Sequence, residues 1–400
     1  MEFNQVELGK YCDIRSSKRI YAKEYVENGV PFYRSKEIIQ KSKNEIITNS
    51  LFISEEKFNE IDGKHGSPKT GDILLTSVGT LGIPYLVKEK EKFYFKDGNL
   101  TWFTNFSSEL NNEFLYYWFQ SKLGKVEIDR VTIGSTQKAL TIVNLNTLKI
   151  QLPSISIQNQ IVNILKSIDE KIKCNIKQLK LVKQLSETLF KHWFIDFEFP
   201  NEQGQSYKSS GGEMVESELG DIPSIFKCGV IKDFCDLRYG KALTKKNRIP
   251  GAYSVYGSGG VTGTHQDYLI EGPGVIIGRK GSIGTLYLEF NNFYPIDTVF
   301  YTESKDYTPK FLYLLFKQYD FTKANNDSAV PGLNRDFVYN TKAVVPDLKI
   351  VNKFEEIISP IYENIKNLTE ENRTLEELRD TLLIKLLSGE IEISDEVVVG

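Results

Sequence analysis

Four hundred residues, 40% apolar and 12% aromatic, suffice for two or three domains with large cores. Fifty basic against 53 acidic side chains exclude a uniformly basic nucleic-acid coat, and four cysteines (12, 174, 228, 235) without CxxC spacing argue against a disulfide framework. Three histidines scattered at 65, 192 and 265 argue against a zinc site, so no metal is expected and the thiols are expected to be buried and reduced.

The opening "MEFNQVELGKYCDIR" has neither the basic start nor the apolar stretch of a signal peptide, and no run nears the ~18 apolar residues of a membrane span. A cytoplasmic protein without membrane contact is expected. The acidity is local: residues 1–350 carry 45 Lys plus Arg against 41 Asp plus Glu, whereas 351–400 carry 5 against 12. A near-neutral body can still present basic clusters to phosphate, and clusters decide electrostatic binding more than the total does.

In chain order, residues 1–152 are strand-like and loop-rich. "GDILLTSVG", from Gly71, predicts a short buried strand closed by glycine, and "NEFLYYWFQSKL", from Asn112, an aromatic helix. Residues 153–198 predict one long helix with apolar residues at Ile161, Ile164, Ile168, Ile172, Leu179, Val182, Leu185, Leu189 and Trp193, the spacing of a coiled-coil seam. Residues 199–222, rich in Gly, Ser, Glu and Pro without periodicity, predict a linker. Residues 223–345 repeat the first pattern, with "GPGVIIGRKG" as a strand and "PKFLYLLFKQY" as a helix. Residues 346–388 predict a second long helix, with Phe354, Ile357, Ile361, Ile365, Leu368, Leu375, Leu378, Leu382 and Leu386 as its apolar series and Pro360 as a bend. Residues 389–400 form a tail.

The two halves are copies. Residues 153–193 align without a gap onto 346–386, with eleven of 41 pairs identical. Upstream, "GTLGIPYL" (79–86) returns as "GSIGTLYL" (281–288), and "YCDIRSSK" (11–18) returns as "FCDLRYGK" (234–241). Two copies with a long period predict a pseudo-twofold molecule: two α/β domains joined by two long antiparallel coiled-coil helices. Forty helical residues span about 60 Å. The first helix is net basic and the second net acidic, which favours pairing with each other. Each inserts one asparagine into its seam, Asn175 and Asn372, and an antiparallel register sets these two level. A parallel one would put each against leucine.

Taken together, "LPSISIQNQIVNIL", "ETLFKHWFIDFE", "GEMVESELGDIPS", "VYGSGG", "GRKGSIG", "SAVPGLNRD" and "LLSGEIEI" resemble the specificity subunit of type I restriction-modification systems over almost the whole chain. The resemblance implies two target recognition domains, each reading half of a bipartite interrupted site on double-stranded DNA. It also implies helices that space the domains and dock two adenine methyltransferase subunits, with restriction subunits assembling onto these. No cofactor is expected in this chain; S-adenosylmethionine is expected on the methyltransferase partner, which would act on an adenine flipped out of the stack. No catalytic residue is expected either, and no P-loop, HExxH, GxSxG or EF-hand pattern occurs. Two other readings remain: a self-sufficient DNA-modifying or cleaving enzyme, and a scaffold that joins proteins through its helices.

For DNA contact, basic residues beside small or glycine-rich turns are the candidates for phosphate. These are Arg15, Lys18, Arg19, Arg34 and Lys138 in the first domain, and Arg238, Lys241, Lys245, Lys246, Arg248, Arg279 and Lys280 in the second. For base edges the candidates are Gln137, for adenine, and Arg335, for guanine, on the loop before each long helix, with Asn334 as a weaker one; the competing reading is that these loops only cap or lead into the last strand. Tyr253, Tyr256 and His265 are further groove candidates. Ser77 and Val78 stand opposite Arg279 and Lys280, so the glycines of "GRKGSIG" read as a shared structural turn and the Arg-Lys pair as a feature of one domain.

Overall fold

A computed structural model describes residues 3–134, 138–304, 306–322 and 332–393. The chain forms two compact units. They do not follow a domain-then-helix division: the first comprises 1–173 with 372–400, the second 174–371, so each takes one half of each long helix. The helices run Ile155–Phe194 and Leu348–Leu387.

In the first unit, strand Asn4–Glu7 pairs antiparallel with Lys149–Leu152, bringing the end of the α/β domain back beside its start. The central sheet is antiparallel in the order Asp13–Arg15, Leu100–Thr104, Ile73–Thr76, Pro84–Leu86. Its middle strands are buried on both faces, as their unbroken apolar runs require. A second sheet contains Val30–Tyr33 beside Tyr94–Phe95 in parallel. The aromatic helix, Asn112–Gln120, is N-capped by the Asn111 side chain.

The second unit repeats this plan. Strand Lys227–Val230 pairs with Lys342–Val345, and the central sheet runs Asp236–Tyr239, Val299–Glu303, Gly274–Gly278, Leu286–Glu289 in the same order. Its smaller sheet again ends on a parallel pair, Tyr253–Gly257 with Phe293–Pro295. Helix Pro309–Phe316, capped by Thr308, takes the place of Asn112–Gln120. The matching glycines share one geometry: φ is +80° at Gly79 and +79° at Gly281, and +74° at Gly82 and +71° at Gly284. Only glycine adopts this left-handed conformation cheaply. A Cβ at Gly284 would also meet the backbone of Phe321 and Thr322 at 3.0 Å.

The two long helices run antiparallel within each unit. In the first, Ile157, Ile161, Val162 and Leu165 share a core with Leu383, Leu386 and Leu387, and Asp169 accepts from Arg379 at 3.1 Å and from the Tyr117 hydroxyl at 2.8 Å. In the second, Phe354 sits among Phe190, Trp193 and Phe194, with ring centroids 5.9, 5.4 and 5.1 Å away. These pairings lie within a turn of the register expected from the asparagines.

Of the seam residues, Ile161, Ile168, Ile172, Asn175, Ile365, Leu368 and Asn372 are buried. Leu179, Val182, Leu189 and Ile361 are partly buried against the second unit's core, and Leu382 against the first's; Leu375 is half-buried. Ile164, Leu185, Ile357 and Leu378 are exposed, and the stripe passes instead through Leu165, Ser186, Phe190 and Ile358. At Ile164/Leu165 and Ile357/Ile358 two adjacent apolar residues offer two phases of the same spacing; at Leu185 the buried neighbour is the polar Ser186. Asn175 and Asn372 fall in different units; within the second, Asn175 donates to Glu371 at 2.8 Å. Neither asparagine's buried Oδ1 has a hydrogen-bond partner.

Pro360 does not interrupt the second helix. It lies on the exposed face, where the carbonyl four residues back, freed of its amide, can be hydrated. The glycine-rich segment 199–222 is packed rather than free: Phe199 is buried and stacks on Tyr207 and Phe226, and Met214–Val215 pairs with Ile222–Pro223. Cys12 and Cys235 are buried, which pushes each thiol up to about 12. Cys174 and Cys228 are exposed, against expectation.

The aromatic cluster at Phe354 generates a stability prediction. Phe354→Ala should cost about 3–5 kcal/mol, because a fully buried ring leaves a cavity. Ile357→Ala, one turn away and 45% exposed, should cost about 0.5 kcal/mol or less. Urea-melt midpoints of the two variants check the difference.

Candidate nucleic-acid interface

The sequence candidates separate by what their side chains already hold. In the first unit Arg19 pairs with Asp97 at 2.7 Å, and Arg15 lies 3.5 Å from Asp13 with its guanidinium 4.7 Å over the Trp102 ring. In the second, Arg238 pairs with Glu303 at 2.8 Å. Such exposed pairs are worth about 0–1 kcal/mol, so a phosphate can compete for these arginines. Arg34 is different. Its guanidinium and backbone amide both bond Glu37, at 2.7 and 2.9 Å, closing the start of helix Ser35–Ser42. Burial alone would raise the Glu37 carboxyl, but these bonds hold it below its usual range. Arg34 is therefore committed to structure.

Arg248 is committed as well: it donates to the carbonyls of Thr262 and Leu243, at 2.8 and 3.4 Å. Asn334 is a cap, its Oδ1 accepting from the amide of Asp336 at 2.7 Å to start the short helix Arg335–Tyr339. Tyr256 is buried and donates to Glu289 at 2.8 Å, and the His265 ring accepts from the amide of Ile249 at 3.1 Å; both serve the core. Lys18, Lys138, Lys241 and Lys280 are exposed, as are Lys245 and Lys246 on the turn Lys245–Asn247. Tyr253 packs edge-on against Tyr268 at 5.0 Å. Gln137 lies outside the described residues.

One cleft in the second unit brings Arg279, Lys280, Asn334 and Arg335 together around Tyr239. The Arg279 guanidinium lies 4.8 Å from the Tyr239 ring and is anchored through Nη1 to the Asp297 carbonyl at 2.9 Å. Arg335 lies 5.3 Å from the same ring. Tyr239, nearly half exposed, is the residue that sequence reasoning missed. Its only signal was its place beside Arg238 in "FCDLRYGK", where the first copy has Ser16.

Equivalent backbone bonds fix the correspondence between the copies here. Leu333 donates to the Arg279 carbonyl at 2.8 Å as Leu140 donates to the Ser77 carbonyl at 3.0 Å, and Lys280 bridges Gly332 as Val78 bridges Ala139. Thr141 and Asn334 then both cap a five-residue helix, and Arg335 corresponds to Ile142, not to Gln137. Arg335 stands in the first turn of that helix rather than on the loop before it.

No group of three or more His, Cys, Asp or Glu side chains able to hold a metal occurs among the described residues, and no described helix is long and apolar enough to cross a membrane.

Residues 1–184 and 223–377 match the family described as the type I restriction modification DNA specificity domain. Among curated proteins, the chain is 30% identical over 195 residues to a type I restriction enzyme specificity subunit of Haemophilus influenzae, across 48% of this chain and 47% of that one. It is 24% identical to the type I restriction enzyme MjaIX specificity subunit of Methanocaldococcus jannaschii, across 98% and 97%. Among solved structures, the S subunit of a type I restriction-modification system from M. genitalium shares the fold, with a TM-score of 0.59 and 18% identity over 96% of both chains. With both repeats inside the matched stretches, the chain belongs to the family of type I restriction-modification DNA specificity subunits and carries the specificity domain twice.

Proposed function

We propose that this chain reads a bipartite, interrupted site on double-stranded DNA, one half-site per α/β domain, and docks two adenine methyltransferase subunits. The observation that carries this reading is the repetition of one sheet order on different loops: the same strands and glycine turns bear Ser77 and Ile142 in one copy and Arg279 and Arg335 in the other. Two readers with different side chains at equivalent places suit an asymmetric site. Methyl transfer from S-adenosylmethionine belongs to the partner, and restriction subunits complete the assembly in the cytoplasm.

Exposed apolar side chains on the first long helix support docking. Leu181 and Leu185, four residues apart on one face of the second unit's portion, are 55% and 50% exposed. Leucines at helical spacing left in water favour an apolar partner helix. The experiment that tests the whole reading is co-expression with the cognate methyltransferase, followed by sequencing of methylated adenines. A methyl mark set by the purified chain alone, supplied with S-adenosylmethionine, would establish the enzyme reading instead.

Three outcomes are expected. Exchanging residues 1–150 for another recognition domain should change one half-site and leave the other, read from the methylome. Lys245→Ala with Lys246→Ala should weaken binding to all sequences alike and reduce the log–log salt slope by roughly 0.9 per lost phosphate contact. Leu181→Asp with Leu185→Asp should abolish co-purification with the methyltransferase while leaving the chain's thermal melt unchanged.

A further inference from the structure

The cleft around Tyr239 contains an arrangement that DNA binding in general does not require. Two guanidinium groups, those of Arg279 and Arg335, share one tyrosine ring, and among the described residues no ion pair joins either to a carboxylate, Asp336 of the same cleft included. Arg279 is tied down by the Asp297 carbonyl. Arg335 is not: it rests between Tyr239 and Tyr339, 5.3 and 5.7 Å from the ring centroids, and its buried Nε has no hydrogen-bond partner. The Tyr339 ring is itself fixed, because its hydroxyl accepts from the amide of Leu237 at 2.8 Å. The two rings therefore flank the Arg335 guanidinium and hold it in place while its terminal nitrogens are left for a ligand.

A planar fork of two N–H donors in a fixed plane fits a pair of acceptors side by side. In the major groove that pair is O6 and N7 of guanine, whereas adenine replaces the first acceptor with a donor. The cleft is lined by one carboxylate, Asp336, against the cations Arg279, Lys280 and Arg335, and this positive balance favours an acceptor-rich ligand over a donor-rich one. At the equivalent place in the first unit stands Ile142, 37% exposed, which has no donor. We propose that Arg335 reads a guanine in the half-site of the second domain, with Tyr239 as the positioning residue against which its guanidinium rests. The proposal rests on the DNA-reading function argued above.

The test uses the assembled complex with the methyltransferase. In wild type, replacing one guanine of the second half-site by 7-deazaguanine, which lacks the N7 acceptor, should weaken binding, and Arg335→Ala should be indifferent to that change. A bidentate contact is worth about 5- to 150-fold in discrimination. In the methylome, Arg335→Ala should turn one guanine position degenerate and leave the first half-site intact. Tyr239→Phe, which keeps the ring, should preserve the motif, and Tyr239→Ala should blur that same position. A wild-type complex indifferent to 7-deazaguanine at every guanine of the second half-site overturns the proposal, as does an unchanged motif in Arg335→Ala. If exchange of residues 223–345 alters neither half-site, the DNA-reading function itself fails. That outcome is separate from a failed Arg335 assignment.

Discussion

The structure depends on the antiparallel packing of the two long helices, because the largest core cluster of each unit draws residues from both. In the first unit the apolar face of the α/β domain is covered by the early turns of one helix and the late turns of the other, with Leu165 and Leu383 in the same cluster. In the second, Phe354 from the return helix fills the space among three aromatic rings of the outgoing one. The direction is reinforced by polar contacts that work in only one register. Arg379 reaches Asp169 in the first unit, and Asn175 reaches Glu371 in the second. A helix shifted by one heptad would bury these groups unpaired, at about 1–3 kcal/mol for each neutral one and more for the charges.

On this frame, the parts that repeat and the parts that differ obey different physics. The positive-φ glycines, the cap of the five-residue helix and the amide bond from Leu140 or Leu333 recur because the backbone conformation demands them. The side chains carried by those elements are under no such demand. Ser77 becomes Arg279, Ser16 becomes Tyr239 and Ile142 becomes Arg335 without a change in the surrounding strands. One scaffold can therefore carry different recognition chemistry at a fixed place.

Most of the architecture was legible in the sequence because repetition and periodicity are properties of the chain itself. The ungapped match of 153–193 onto 346–386 marked both helices to within a few residues of their observed ends. What failed was phase and partnership. Ile164 stands next to Leu165 and Leu185 next to Ser186, and spacing alone does not say which of two adjacent residues turns inward. The partners of the basic candidates were hidden for a related reason. The carboxylates that engage Arg19 and Arg238 lie 78 and 65 residues away in sequence, brought close only by folding. Glu37, three residues from Arg34, was within view, and its capping geometry could have been suspected from the spacing. Tyr239 had no periodic signal at all, since its significance comes from two arginines that reach it from a loop and a short helix distant in sequence.

The discontinuity of the first unit bears on how the chain is made. Its core takes Leu383, Leu386 and Leu387 from a segment that begins at Asn372, while the rest ends at Lys173. On the ribosome, the intervening 174–371 must emerge before that core can close. Such non-local closure is slow and leaves apolar surface open in the interval. The nascent first domain therefore waits with Ile161 and Leu165 uncovered, so a chaperone or an early-bound partner would act on it during elongation rather than after release.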